Sequence, residues 1–214
     1  VYRILSTLVQ YGYVEQDGES GRYKLGYKFL EISSKLLESI DLRNEARPFL
    51  QQLENQTNEV IHLVVFDQSE VVYIEKLEGN EVLRMHSKVG KRAPMHCTSV
   101  GKAILAHLPL DVVSNIIDRK GLPVHTDHTI INKDDLFKEL ENIRDRGYAL
   151  DLQENEYGIT CIAVPIFDYT GQVVSAISIS GPTMRMTEER LEQLKQPIIH
   201  IGQQISNRLG YERT

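Results

Sequence analysis

The chain has 214 residues, 41% hydrophobic and 25% charged, with 24 Lys and Arg against 30 Asp and Glu for a net charge of −6. That length suits one large domain or a small one joined to a medium one, and the acidic balance excludes a general nucleic-acid coat, which needs a basic surface. No apolar run is long enough to cross a bilayer, so no membrane partner is expected, and two cysteines make no disulfide framework, which points to a reducing cytoplasm.

Val1, Ile4, Leu5, Leu8 and Val9 recur at helical spacing, while Tyr2, Arg3, Ser6, Thr7 and Gln10 fall on the opposite face, all able to bond a DNA backbone or base edge. The stretch lacks the basic leader of a signal peptide. After Tyr11 to Val14 and an acidic turn ending at Gly21 comes the short basic strand Arg22 to Gly26. Helix, strand, turn, basic strand is the order of a recognition helix followed by a β-wing, with Arg22 and Lys24 on the wing. Arg3, Arg22, Lys24 and Lys28 against Glu15, Asp17 and Glu19 leave this end at about +1, so the acidity lies beyond it. The helices expected before a recognition helix are missing, so a truncated winged helix-turn-helix is expected over 1–26.

Residues 27–40 keep helical period through Phe29, Ile32, Leu36, Leu37 and Ile40 and predict a linker helix. Asp41 then suits the N-cap of a helix to about Gln56, with Leu42, Ala46, Phe49, Leu50 and Leu53 inward and Pro48 expected to kink or break it. Val60 to Phe66, Val71 to Leu77 and Val82 to His86 are short, β-branched and separated by turn residues, which predicts an antiparallel meander. Helices follow at Ser99 to His107, Leu110 to Lys120 and Lys133 to Arg146, the last ended by Gly147. Residues 121–131 between them read as a loop. Strands return at Tyr148 to Leu150, Ile159 to Phe167 and Val173 to Ser180, before a helix from Glu188 to Leu209 that Pro197 should disturb. Strand runs flanked by helix runs predict an α+β domain on an antiparallel sheet over 41–214.

The segments Val1 to Leu8, Gly12-Tyr13-Val14 and Gly21 to Gly26 resemble the latter half of the winged helix of IclR-type (isocitrate lyase regulator) transcriptional regulators. So do Arg92 to Ala106, Arg146-Gly147-Tyr148 to Asp151, Gly158 to Phe167 and Ala176 to Pro182, in the order of that family's effector domain. The resemblance implies a winged helix, a linker helix and a GAF/profilin-like sensor domain. It further implies operator DNA as partner, a homodimer or dimer of dimers, and a repressor controlled by a small carboxylate effector. A 2-oxo acid or sugar-derived acid such as 2-keto-3-deoxygluconate is the expected class. No cofactor, metal or enzymatic activity is implied.

Pro94 can end a strand, Thr98 or Ser99 can cap a helix, and Gly101 allows close backbone approach, so 94–103 suits either a plain capped turn or an anion site. The resemblance favours the site, and by matching positions it places Val82, Met85, Ala93, Ser99, Val100, Asp151, Ile159, Cys161, Ser178 and Ser180 in the pocket. Ser178 and Ser180 share a strand face, as do Ile159 and Cys161. Asp151 would accept hydrogen bonds from ligand hydroxyls or repel a misplaced carboxylate. On their own these residues could equally be solvent-facing serines and a buried thiol. A rival reading takes His96, Cys97 and Cys161, with Asp151 or Glu154, as donors of a metal or thiol sensor. A weaker one takes Cys97 as an enzyme nucleophile with His62 or His86 as base.

Overall fold

The computed structural model describes residues 2–32, 41–79 and 87–212, and the chain forms two compact units divided between Asp41 and Leu42. No helix among the described residues is long and apolar enough to cross a membrane.

The first unit opens with α1 (Tyr2–Gln10), followed by a two-stranded antiparallel hairpin of β1 (Val14–Gln16) and β2 (Tyr23–Leu25). Val14 pairs with Leu25 and Gln16 with Tyr23. Asp17 Oδ1 closes the turn, accepting from the Ser20 amide at 2.7 Å and from the Ser20 hydroxyl, and these bonds hold its carboxyl below the ordinary value. Gly26 N donates to Tyr13 O at 2.8 Å, and a Cβ on Gly26 would lie 2.1 Å from Gly12 O, so only glycine lets the hairpin end pass so close. Of the expected apolar stripe on α1, Leu5 and Leu8 are half-buried whereas Ile4 and Val9 are exposed; Val1 lies outside the described residues. Helix resumes over 28–32, where Phe29 packs edge-on against Tyr13. The remainder of the expected linker helix, 33–40, lies outside the described residues.

The second unit is three-layered. Among the described residues six strands form one antiparallel sheet: β3 (Val60–Asp67), β4 (Glu70–Leu77), β5 (Arg92–Ala93), β6 (Ala149–Leu152), β7 (Ile159–Phe167) and β8 (Val173–Pro182), in the order β5-β4-β3-β8-β7-β6. The edge strand β5 was not foreseen, and the strand expected at Val82 to His86 lies outside the described residues. On one face pack α2 (Leu42–Thr57) and α6 (Glu188–Arg208); on the other lie α3 (Ser99–Leu105), α4 (Leu110–Lys120) and α5 (Lys133–Arg146).

The alternation along β7 and β8 divides these layers. Ile162, Val164 and Ile166 point at α6, where a Cβ on Gly202 would lie 2.6 Å from Val164 Cγ2, so the helix needs glycine to sit this close. Cys161, Ala163, Ser178, Ser180 and Ala176 point the other way. Small side chains on that face leave room under α3.

Pro48 was expected to kink or break its helix and Pro197 to disturb its own, and neither breaks the helix it lies in. Each removes one backbone bond, but Ala46 and Leu50 flank Pro48, and Leu194 and Ile198 flank Pro197, all buried. Core burial on both sides of each proline outweighs the lost bond.

Candidate functional site

A cavity of about 660 Å³ lies between the small-residue face of the sheet and the start of α3. Its floor is set by strand register. Asp151 on β6 pairs with Cys161 on β7, Cys161 pairs with Ser180 on β8, and His62 on β3 pairs with Ser178 on β8. Thr98 caps α3: its Oγ1 accepts from Gly101 N at 3.1 Å and donates to Pro94 O at 2.6 Å. The cap fixes Ser99 and Val100 at the cavity wall, both 2% exposed.

Eight of the residues singled out in the sequence line this one cavity: Ala93, Ser99, Val100, Asp151, Ile159, Cys161, Ser178 and Ser180. Val82 and Met85 lie outside the described residues. The sequence reading missed Tyr73, Ser87 and Asn155, and took His62 only as a candidate base for Cys97; all four line the cavity. His62 is its hub. Nδ1 lies 3.3 Å from both Ser178 Oγ and Ser180 Oγ, Nε2 lies 2.8 Å from Ser87 Oγ, and the ring meets Tyr73 edge-on at 4.9 Å. Burial, with a smaller contribution from Lys76, lowers its pKa to about 3, so the imidazole is neutral and one nitrogen must accept. Its place follows from the strand pairing, which sets His62 directly across from Ser178.

Asp151 is 4% exposed, and its Oδ1 accepts from Glu154 N at 2.8 Å. Burial first and the Glu154 carboxylate second raise its pKa to about 7, against the opposing pull of the Glu154 amide and Lys102. Below that pH it is a neutral acid, able to donate to a ligand carboxylate instead of repelling it. Its folded pKa exceeds the ordinary 3.8, so its stabilising effect is full below about pH 4 and is lost as pH rises through about 7. Asp151→Asn removes this titration. The variant should gain on the parent protein between about pH 4 and 7 and keep that gain above, by at most about 4 kcal/mol. Denaturant unfolding across the range checks it; a difference that does not vary with pH contradicts it.

Beneath the cavity Lys102, 1% exposed, donates to Glu154 Oε1, and Glu154 Oε2 is buried with no partner. Burial raises the Glu154 pKa despite the ammonium. Lys91 and Arg92 stand exposed at the mouth, Arg92 bound to Asp67.

Burial, reinforced by Asp151, pushes the Cys97 thiol up to about 12 and also raises Cys161. Neither is an activated nucleophile. His62 bonds serines, not Cys97, and His86 lies outside the described residues. The metal set read from sequence is not assembled either. Among the described residues the one cluster of suitable donor atoms is His96, Cys97 and His125, without Cys161, Asp151 or Glu154.

In the first unit, Tyr2, Arg3, Ser6, Thr7, Arg22 and Lys24 are all exposed. Ser6 and Thr7 donate back to the carbonyls of Tyr2 and Arg3 at 3.0 and 2.9 Å, and Lys24 pairs across the hairpin with Glu15 at 2.9 Å.

The profile described as bacterial transcriptional regulator IclR C-terminal matches residues 34–207. The HTH-type transcriptional regulator KdgR of Escherichia coli is 38% identical over 211 residues, 99% of this chain and 80% of that protein. The transcriptional repressor IclR of the same organism is 33% identical over 211 residues, 98% of this chain and 77% of that protein. Among solved structures, the Thermotoga maritima IclR superposes with a TM-score of 0.78 at 38% identity, covering 98% of this chain and 85% of that one. Coverage of nearly the whole chain at these identities settles the assignment: this chain belongs to the IclR family of bacterial transcriptional regulators.

Proposed function

We propose that the chain is a DNA-binding repressor whose operator binding is set by a small carboxylate metabolite, a 2-oxo acid or sugar-acid catabolite, held in the 660 Å³ cavity. The observation that carries this is the buried ring of His62, Ser178, Ser180, Ser99 and Asp151 around a space of metabolite size. Hydroxyls, a neutral imidazole and a carboxyl that is neutral below about pH 7 suit a ligand bearing both carboxylate and hydroxyl or oxo groups. Lys91 at the mouth offers a positive charge to an entering anion, while Arg92 beside it is paired with Asp67 and Glu70. Ala93, Val100, Ile159 and Cys161 supply the apolar wall; Val82 and Met85 join them in this reading.

Residues 1–26 act as the C-terminal part of a winged helix, 27–40 as a linker helix and 41–214 as the effector domain. Tyr2, Arg3, Ser6, Thr7, Arg22 and Lys24 face operator DNA. The exposed Ile4, Leu25, Tyr27 and Leu30 support self-association through this end, as a homodimer or dimer of dimers. Ligand occupancy shifts the population between DNA-competent and incompetent assemblies, a coupling of about 1–3 kcal/mol.

Buried thiols with raised pKa values, and relatives that carry the name repressor, favour this over a metal or thiol sensor built on Cys97 and Cys161. Selection of bound genomic fragments by the protein, followed by challenge with individual acids, tests the reading. Release by a 2-oxo or sugar acid is expected. Release only by chelator or oxidant contradicts it.

A further inference from the structure

Tyr73 faces the cavity because the register of β4 breaks beside it. Leu63 on β3 pairs with Glu75 and Val64 with Tyr73, which leaves Ile74 as an extra residue, a β-bulge. In an unbroken strand Tyr73 and Glu75 would share a face. The bulge separates them: Glu75 turns to Arg43 and Arg47 on α2, while Tyr73 joins Val64 and His62 on the cavity side. There its ring packs on the core, and His62, tied to Ser178, Ser180 and Ser87, meets it edge-on at 4.9 Å between ring centres. Burial first, then the nearby Cys161, Asp151 and Cys97, push its hydroxyl far above the ordinary tyrosine range, so it stays a phenol able to donate. Among the described residues no group bonds that hydroxyl, an uncommon state for a tyrosine so enclosed.

We propose that Tyr73 is a ligand-binding residue of the cavity, its phenol O–H donating to a carboxylate oxygen of the bound acid. This rests on the reading of the cavity as the site of a small acid. A phenol that stays neutral brings no charge to repel an anion, and a hydrogen bond to a charged oxygen is about twice as strong as one between neutral groups. The ring is already held between His62 and the core, so little freedom is lost when the bond forms. The bulge at Ile74 is what aims this donor.

Tyr73→Phe tests the assignment, because it removes the hydroxyl and keeps the ring. Calorimetric titration with pyruvate, gluconate and 2-keto-3-deoxygluconate compares the variant with the parent protein. Near-ultraviolet difference absorption on adding each acid is a second readout, since the chain has tyrosines but no tryptophan to mask them. For each acid that the parent binds, Tyr73→Phe should bind at least about tenfold more weakly, and the tyrosine difference signal should be lost. Tyr169→Phe, exposed at the turn between β7 and β8, should keep both. A thermal melt should find Tyr73→Phe as stable as the parent, because its hydroxyl has no protein partner to lose. A lower melting temperature would instead give the hydroxyl to the fold and overturn the assignment. Equal affinity in Tyr73→Phe, or a difference signal that persists there, would overturn it while leaving the acid site standing. No binding of any of the three acids by the parent would overturn both.

Discussion

Lys102→Met is expected to destabilise the second unit by about 3–5 kcal/mol near neutral pH, the cost of leaving a buried charge without its partner. Lys102 is among the largest fully buried side chains of the molecule, and its ammonium donates to Glu154 Oε1. Without it, Glu154 remains enclosed beside Asp151, with Oε2 already lacking a partner. The variant's Glu154 then ionises only at a pKa raised further still. Its stabilising protonated form is lost as pH rises, so the deficit should be smaller near pH 5 than near pH 8. A second change, Glu154→Met, removes the orphaned acid, and the double variant should recover most of the loss, since an apolar pair of similar volume often replaces a buried ion pair at little cost. Denaturant unfolding of the parent, both single variants and the double variant checks this. A double variant no better than Lys102→Met alone would mean that the pair's cost lies in shape and not in charge.

Gly101→Ala is expected to destabilise by about 1–3 kcal/mol, although helix propensity alone predicts the opposite sign by about 1 kcal/mol. Gly101 is in α3, where alanine normally helps. A Cβ there would stand 2.4 Å from Met95 O, 2.5 Å from Met95 Cα and 2.6 Å from Thr98 Oγ1. Two of those neighbours are backbone, so relief requires the turn over 94–98 to move away from the helix it caps. That motion displaces Ser99 and Val100 from the cavity wall, so ligand affinity should fall at least about tenfold, or 1.4 kcal/mol. Thermal unfolding and ligand titration read the two effects separately. A stabilised variant with unchanged affinity would show that the turn yields freely.

The regular elements were legible where local chemistry sets their ends. Asn132 bonds the amides of Asp134 and Asp135, and Gly147 closes the far end, so α5 falls on the residues expected. Leu110–Lys120 and Ile159–Phe167 likewise match their predicted bounds. The alternation of Cys161, Ala163 and Pro165 with Ile162, Val164 and Ile166 was also in plain view, and it is what divides the cavity face from the packed face. Pro48 and Pro197 do not end α2 and α6, because propensity is local whereas the burial that holds those helices together is not. His62 and Tyr73 escaped notice because their significance depends on which strand pairs with which: β3 meets β8 across more than a hundred residues of chain.

The account stands on occupancy of the cavity by a small acid, and thermal unfolding against a panel of 2-oxo and sugar acids tests that most directly, with Ser99→Trp as the blocked form. A ligand at about 100 times its dissociation constant stabilises by about 2.7 kcal/mol, roughly 5–11 °C for a unit of this size. The account predicts a rise of that order for at least one acid, absent in Ser99→Trp, whose indole would fill the space beside Ser178 and Cys161. No rise with any acid, or an equal rise in the blocked variant, would contradict it.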